Sequence, residues 1–248
     1  MATPVSRATD TPPVPETLNW DLWLGPAPER PYHPIYLPFH WRGWWDFGTG
    51  VLGDIGCHQL SAIFKCLKLG HPQTVEACST NWQQGPGIAN ETAPLASIVR
   101  FSFAASANHG PLQIVWYDGG MQPPRPEELE PGRPFAINDG ILYVGDKGKM
   151  LGHRLIPETR MAEFGRPEKT LPRSPGHYQE WIAACKGGPP AGSNMVDHAA
   201  HLAEVILLGN VAIRVNGKLT WDEAAGRFSD CDEANALLNP PYRTGWTL

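Results

Sequence analysis

The stretch from Trp41 to His58 (WRGWWDFGTGVLGDIGCH) constrains this chain more than any other. Three tryptophans, five glycines and three charged residues (Arg42, Asp46, Asp54) stand ahead of a single histidine, His58. Glycine lets the backbone approach its surroundings closely, and tryptophan supplies a rigid flat wall with one polar handle. That mixture is poor material for a plain core strand and good material for the wall of a pocket. From Asp54 onward Ile55, Leu60, Ile63, Phe64, Leu67 and Leu69 fall at helical spacing, and Gly70-His71-Pro72 stops the helix.

The rest of the chain reads as short strands and helices without strand–helix–strand alternation. Asn19 to Gly25 reads as an amphipathic piece of one or two helical turns stopped by Gly25-Pro26, and the five prolines between 26 and 40 leave that stretch irregular. The aromatics there, Tyr32, Tyr36 and Phe39, are expected to pack down onto something. Strands are predicted at Thr74–Asn81, Ala96–Phe103, Gln113–Tyr117 and Lys218–Trp221, with a hairpin through Gly140–Val144 and Lys149–Leu151. Residues 118–139 and 157–175 read as loops. Helices are predicted at His177–Cys185, Met195 to about Arg214 and Asp232–Leu238. Asn194 followed by Asp197 resembles a cap on the second of these. Leu202, Val205, Ile206, Leu207, Leu208 and Val211 make that helix apolar nearly all round, as a core helix is. Hairpin-joined strands with segregated helices predict an α+β fold: an open, mainly antiparallel sheet with helices packed on one face. Residues 1–18 are expected to be a flexible arm, and 19–248 one domain.

Bulk properties exclude several classes of function. A net charge of −5, with no run of Lys and Arg, argues against a nucleic-acid partner. The apolar stretches are expected to be too short to span a bilayer, and the first residues lack signal-peptide character, so no membrane role is expected. Five cysteines (Cys57, Cys66, Cys78, Cys185, Cys231) without a CxxC pair predict reduced, mostly buried thiols in a cytoplasmic protein.

Gly48 to Gly53 spells GxGxxG and opens a helix, yet a dinucleotide site also needs a buried apolar strand in front. His40 to Phe47 is no such strand, and Asp54 would repel a pyrophosphate at the helix start. The glycines are expected instead to give a bound ligand access to the backbone, and no cofactor is expected to be held by this chain alone. Asp54 and His58 stand at i and i+4, on one helical face. A carboxylate beside an imidazole fixes its tautomer and makes it a better proton acceptor near neutral pH. On spacing alone, a helix-capping Asp54 and a His58 filling a polar corner is the commoner arrangement.

Asn19 to Pro26, Trp41 to Gly50, Gly53 to His58 and Leu207 to Ala212 together resemble the C-terminal domain of the glucose–fructose oxidoreductase/inositol dehydrogenase (Gfo/Idh/MocA) family, in its bacterial Trp-rich subgroup. The resemblance implies an open sheet with helices on one face and a homo-dimer or tetramer formed through the other. It also implies a proton-transferring His58 with Asp54 as its partner. Arg42, Trp44, Trp45 and Asp46 would then lie near a carbohydrate or polyol substrate. Family members carry an N-terminal Rossmann domain for NAD(P) and an active-site Glu-Lys-Pro lysine, and this sequence has neither. The expectation is a fragment or short relative, incapable of hydride transfer alone unless a separate Rossmann-type partner supplies the cofactor. Cofactor-independent hydrolysis or elimination on a glycoside or lactone through Asp54/His58, and a non-catalytic oligomerisation module, are the alternative readings. No GxSxG elbow supports a serine hydrolase. Asp197, His198 and His201 share one helix but lack a third metal ligand at recognisable spacing, so no metal is expected. Glu127, Glu128 and Glu130 read as a solvated charge run.

Overall fold

The computed structural model describes residues 7–80, 91–135 and 140–247. The chain divides into two compact units, residues 1–121 with 202–248, and residues 122–201. The first holds helices α1 (Trp20–Leu24), α2 (Gly50–Leu67), the body of α5 (Ala200–Val215) and α6 (Asp232–Ala236). Its strands are β1 (Thr74–Ser79), β2 (Ser97–Phe103), β3 (Leu112–Tyr117), β7 (Lys218–Asp222) and β8 (Arg227–Phe228). They form one sheet in the order β3-β2-β1-β7-β8, antiparallel at every pairing. This is the α+β class predicted, with β8 as an addition.

Alternation decides which face of the sheet is covered. Val75 and Ala77 of β1 are buried while Glu76 and Cys78 between them are exposed, and every second residue of β2 from Ser97 to Phe103 is buried. The register sets Val75 beside Phe101 and Leu219, and Ala77 beside Val99, so these side chains share one face. Helix α5 lies on that face: a Cβ placed on Gly209 would touch both Leu52 of α2 and Phe101 of β2. The predicted core positions of α5 are buried except Leu207, which is 43% exposed.

Several expectations need correction. Helix α2 begins at Gly50 and not at Asp54, because Gly50 adopts φ +61 and turns the chain into the helix one turn earlier. The 26–40 stretch contains a 3-10 turn at Pro34–Tyr36, and another follows at His40–Gly43. None of the cysteines is fully buried: Cys57 and Cys231 are half-buried and the other three exposed, Cys78 because it falls on the outward face of β1. Met195–Val215 is long and apolar enough to cross a membrane by length and composition, with mean hydropathy 1.3, but more than half of that window is buried inside the protein. The end of the predicted strand at Asn81 lies outside the described residues.

The second unit is built on a three-stranded sheet, β4 (Leu142–Gly145), β5 (Gly148–Leu151) and β6 (Arg154–Ile156), in that order. Its core is Leu129, Leu151 and Ile156 with Phe135 and Leu142 against them. The predicted hairpin is present, and the third strand is an addition. The predicted loop after Ile156 is helical over α3 (Glu158–Phe164), and α4 (His177–Cys185) is where the sequence placed it. Glu130 is not simply solvated: its two oxygens accept from the Arg154 guanidinium at 2.9 and 3.1 Å, and the backbone N–H of Glu158 donates to it at 2.5 Å. These donors hold the Glu130 carboxyl down at about 2, the Arg154 bond contributing most.

Candidate functional site

The Trp-rich stretch is a compact loop tied down by its own backbone. Trp44 forms an antiparallel bridge with Thr92, Trp45 N–H donates to Glu91 O at 2.9 Å and Ala93 N–H to Gly43 O at 2.7 Å. Behind it the aromatics of residues 20–47 converge on Tyr36, whose ring centroid lies 4.8 Å from Trp44, 5.6 Å from Phe47 and 6.0 Å from Trp20. Tyr36 is thus buried at the centre and Tyr32 meets Trp20 edge-on at 5.3 Å, as expected, whereas Phe39 is 49% exposed and does not pack down.

The predicted site residues separate within this frame. Trp44 is 2% exposed and belongs to the core of the loop. Trp45 is half-buried, and the Arg214 guanidinium lies over its ring at 5.7 Å. Burial pushes the Arg214 guanidinium down from its ordinary value, with Asp46 acting in the opposite sense. Asp46 is ion-paired with Arg30, a side chain that is 2% exposed and lies over the Phe47 ring at 4.9 Å. Arg30 and Arg214 escaped the sequence reading. Neither stands at a motif spacing, and a lone arginine in a proline-rich loop or at a helix end reads as solvated.

Arg42 lies over the rings of Phe39 and Trp41, at 4.3 and 4.6 Å, and its Nε is 3.6 Å from Asp54 Oδ2. Asp54 and His58 follow one another by a turn on the same side of α2, as the spacing requires. Asp54 is half-buried and His58 exposed. Among the described residues the carboxylate's ion pair is with Arg42, and no hydrogen bond joins Asp54 to His58. The arrangement is a row (Arg42, Asp54, His58) in which the arginine neutralises the carboxylate and the imidazole stands open to solvent. The small pocket beside Trp45, Thr49, Gly50 and Asn210 is of the order of a water molecule in size, too small to enclose a sugar.

The glycine loop does not fit a dinucleotide. A Cβ on Gly48 would stand 2.6 Å from the Arg42 backbone, one on Gly50 2.6 Å from the Ala93 Cβ, and one on Gly53 2.1 Å from the Thr49 hydroxyl. Gly56 likewise faces Ile206, at 3.3 Å. The protein's own neighbours occupy the space that the glycines leave, which also corrects the expectation that they open the backbone to a ligand. A 3-10 turn and an isolated bridge precede the loop where a Rossmann fold has a strand.

Residues 6–88 match the family model described as "Oxidoreductase family, C-terminal alpha/beta domain", from the Gfo/Idh/MocA oxidoreductases, whose members normally depend on NAD(P). No curated protein matches the chain. The matched stretch contains Arg42, Trp44, Trp45, Asp46, Asp54 and His58, whereas Leu207–Ala212 lies beyond it. The stretch that holds Arg42, Asp54 and His58 is therefore similar to the C-terminal domain of the Gfo/Idh/MocA oxidoreductases, whereas Asn210 and Arg214 lie outside the matched residues.

Proposed function

We propose that this chain supplies the substrate-holding, proton-accepting half of an NAD(P)-dependent sugar or polyol oxidoreductase. One observation carries the reading. The family match spans the whole row from Arg42 to His58, and that row ends in an exposed imidazole one helical turn from a carboxylate. In this reading a substrate hydroxyl hydrogen-bonds to the His58 ring, which takes its proton. Asp54, ion-paired with Arg42, stands one turn away on the same helical face and offers its carboxylate as an acceptor to a neighbouring hydroxyl. Arg42 and Asp46 offer a donor and an acceptor to neighbouring hydroxyls, and Trp45 gives an apolar wall for sugar C–H groups. Trp44 supports that wall from the core. Loop 48–53 holds no dinucleotide, so acceptance of hydride belongs to a separate domain or partner.

Two wider features of the reading concern assembly and compartment. The outward face of β1–β3 carries Ile98, Val115 and Tyr117, all only half-buried, and is the face on which a second copy sits in this proposal. All five cysteines are free thiols, which suits a reducing, cytoplasmic setting.

Calorimetry against a panel of monosaccharides, sugar lactones and inositols tests the site. Weak saturable binding is expected, weakened about 2–10-fold in His58→Ala by loss of one hydrogen bond to a hydroxyl. Silence across the panel, or binding unchanged in both His58→Ala and Trp45→Ala, would overturn the proposal.

A further inference from the structure

The metal-ligand type that the sequence left incomplete on α5 is completed by a residue 130 positions away. His201 and Glu204 stand at i and i+3 in the first turns of α5, so the helix itself puts them on one face. His71, in the turn that ends α2, comes to Glu204 with its Nε2 3.1 Å from Oε2. One ligand atom from each of His71, His201 and Glu204 lies within 4.8 Å of the other two. We propose that these three residues form a binding site for a zinc-type divalent metal ion, at the opposite end of α2 from the Asp54/His58 row and independent of it.

Three features go beyond proximity. The His71 ring is set in place: it stacks against the Trp221 indole, centroids 6.0 Å apart with planes 29° from parallel, and its side chain is 15% exposed. Its second nitrogen, Nδ1, is 3.0 Å from Glu223 Oε1. A carboxylate on the far nitrogen of a ligating histidine fixes the tautomer, aims the ring and raises its basicity, which is the usual outer partner of a zinc-bound imidazole. Finally, the donor set selects the ion. Two imidazoles and one carboxylate suit zinc and its neighbours, whereas calcium and magnesium take oxygen ligands. Tetrahedral zinc with bonds near 2.0–2.2 Å needs ligand atoms about 3.3–3.6 Å apart, which the His71–Glu204 pair meets to within a few tenths of an ångström. Glu204 is half exposed and Glu223 more so, so the side chains can close the remaining ångström without moving the backbone. A doubly charged cation there also offsets the two carboxylates gathered around one ring.

The test uses the untagged full-length chain, stripped with a chelator and with its thiols alkylated so that the exposed cysteines cannot compete. Zinc chloride is titrated by calorimetry, and cobalt(II) is followed by visible absorption. The expected result is one zinc per chain, a tetrahedral cobalt spectrum, and affinity at least 10-fold weaker in Glu204→Gln and in His201→Ala. Glu223→Gln, which leaves all three ligands, is expected to weaken binding by about 10–100-fold. Circular dichroism on each variant separates loss of the site from loss of the fold, and Glu204→Gln is a surface change that spares the Trp221 stack. Absence of stoichiometric zinc binding to the folded parent chain would overturn the proposal. So would zinc affinity in folded Glu204→Gln and His201→Ala that is unchanged from the parent.

Discussion

Helix α2 carries Asp54 and His58, and two glycines on its seam with α5 should respond unequally to the same substitution. Replacing a mid-helix glycine by alanine gains about 1 kcal/mol of helix propensity. At Gly209 the new Cβ would stand 2.6 Å from Leu52 Cδ2 and 2.7 Å from Phe101 Cζ. Carbon atoms rest about 3.5–4.0 Å apart, so the overlap is about 1 Å. Leu52 and Phe101 are each 1% exposed and cannot swing into solvent. Overpacking of that kind costs about 1–3 kcal/mol, and an overlap with two locked groups belongs at the upper end, leaving a net loss of about 1–2 kcal/mol. At Gly56 the new Cβ would meet the Ile206 side chain, with Cδ1 at 3.3 Å, Cγ2 at 3.4 Å and Cγ1 at 3.5 Å, at most a few tenths of an ångström short of ordinary contact. There the propensity gain and the crowding nearly cancel, to within about 0.5 kcal/mol. Thermal unfolding by calorimetry or circular dichroism should place Gly209→Ala below Gly56→Ala by about 2–8 °C. A Gly209→Ala protein as stable as the parent, or one that melts no lower than Gly56→Ala, would refute the packing argument.

Glu130 should make the second unit sensitive to acid. Its carboxyl is held down at about 2 against an ordinary 4.5, so the stabilisation it contributes is complete above about pH 4.5 and lost as pH falls towards 2. The difference in Tm between the parent and Glu130→Gln should therefore close across that window; a difference that stays constant down to pH 2 would exclude the Arg154 pairing as its source. Light scattering checks the proposed assembly through the outward face of β1–β3: a dimer or tetramer is expected, shifted towards monomer in Val115→Lys, and a clean monomer for the parent chain would contradict it.

Periodicity and punctuation carried most of the architecture. The 3.6-residue pattern of α2 and α5, the alternation of β1 and β2, and the glycine-bearing hairpin of β4 and β5 are local in origin, so the sequence alone places them. The short strands β6 and β8 escaped because two or three residues hold no period, and pairing with a neighbour already in place is what makes them strands. Helix α3 escaped for a related reason, seven residues in polar, proline-punctuated surroundings.

At the candidate site the division is sharper. The sequence by itself determined that Asp54 and His58 share a face of one helix, because helical spacing needs no tertiary partner. Only the tertiary structure decided that the Asp54 carboxylate pairs with Arg42, that Trp44 is core while Trp45 is only half-buried, and that Asp46 pairs with a buried Arg30. It also decided the meaning of the glycines in GxGxxG. Their letters match a nucleotide loop, but Arg42, Thr49 and Ala93 occupy the space they leave. Contacts between residues distant in the chain depend on how the elements dock, as in His71 reaching Glu204 across 133 positions. No spacing rule read along the sequence contains that distance.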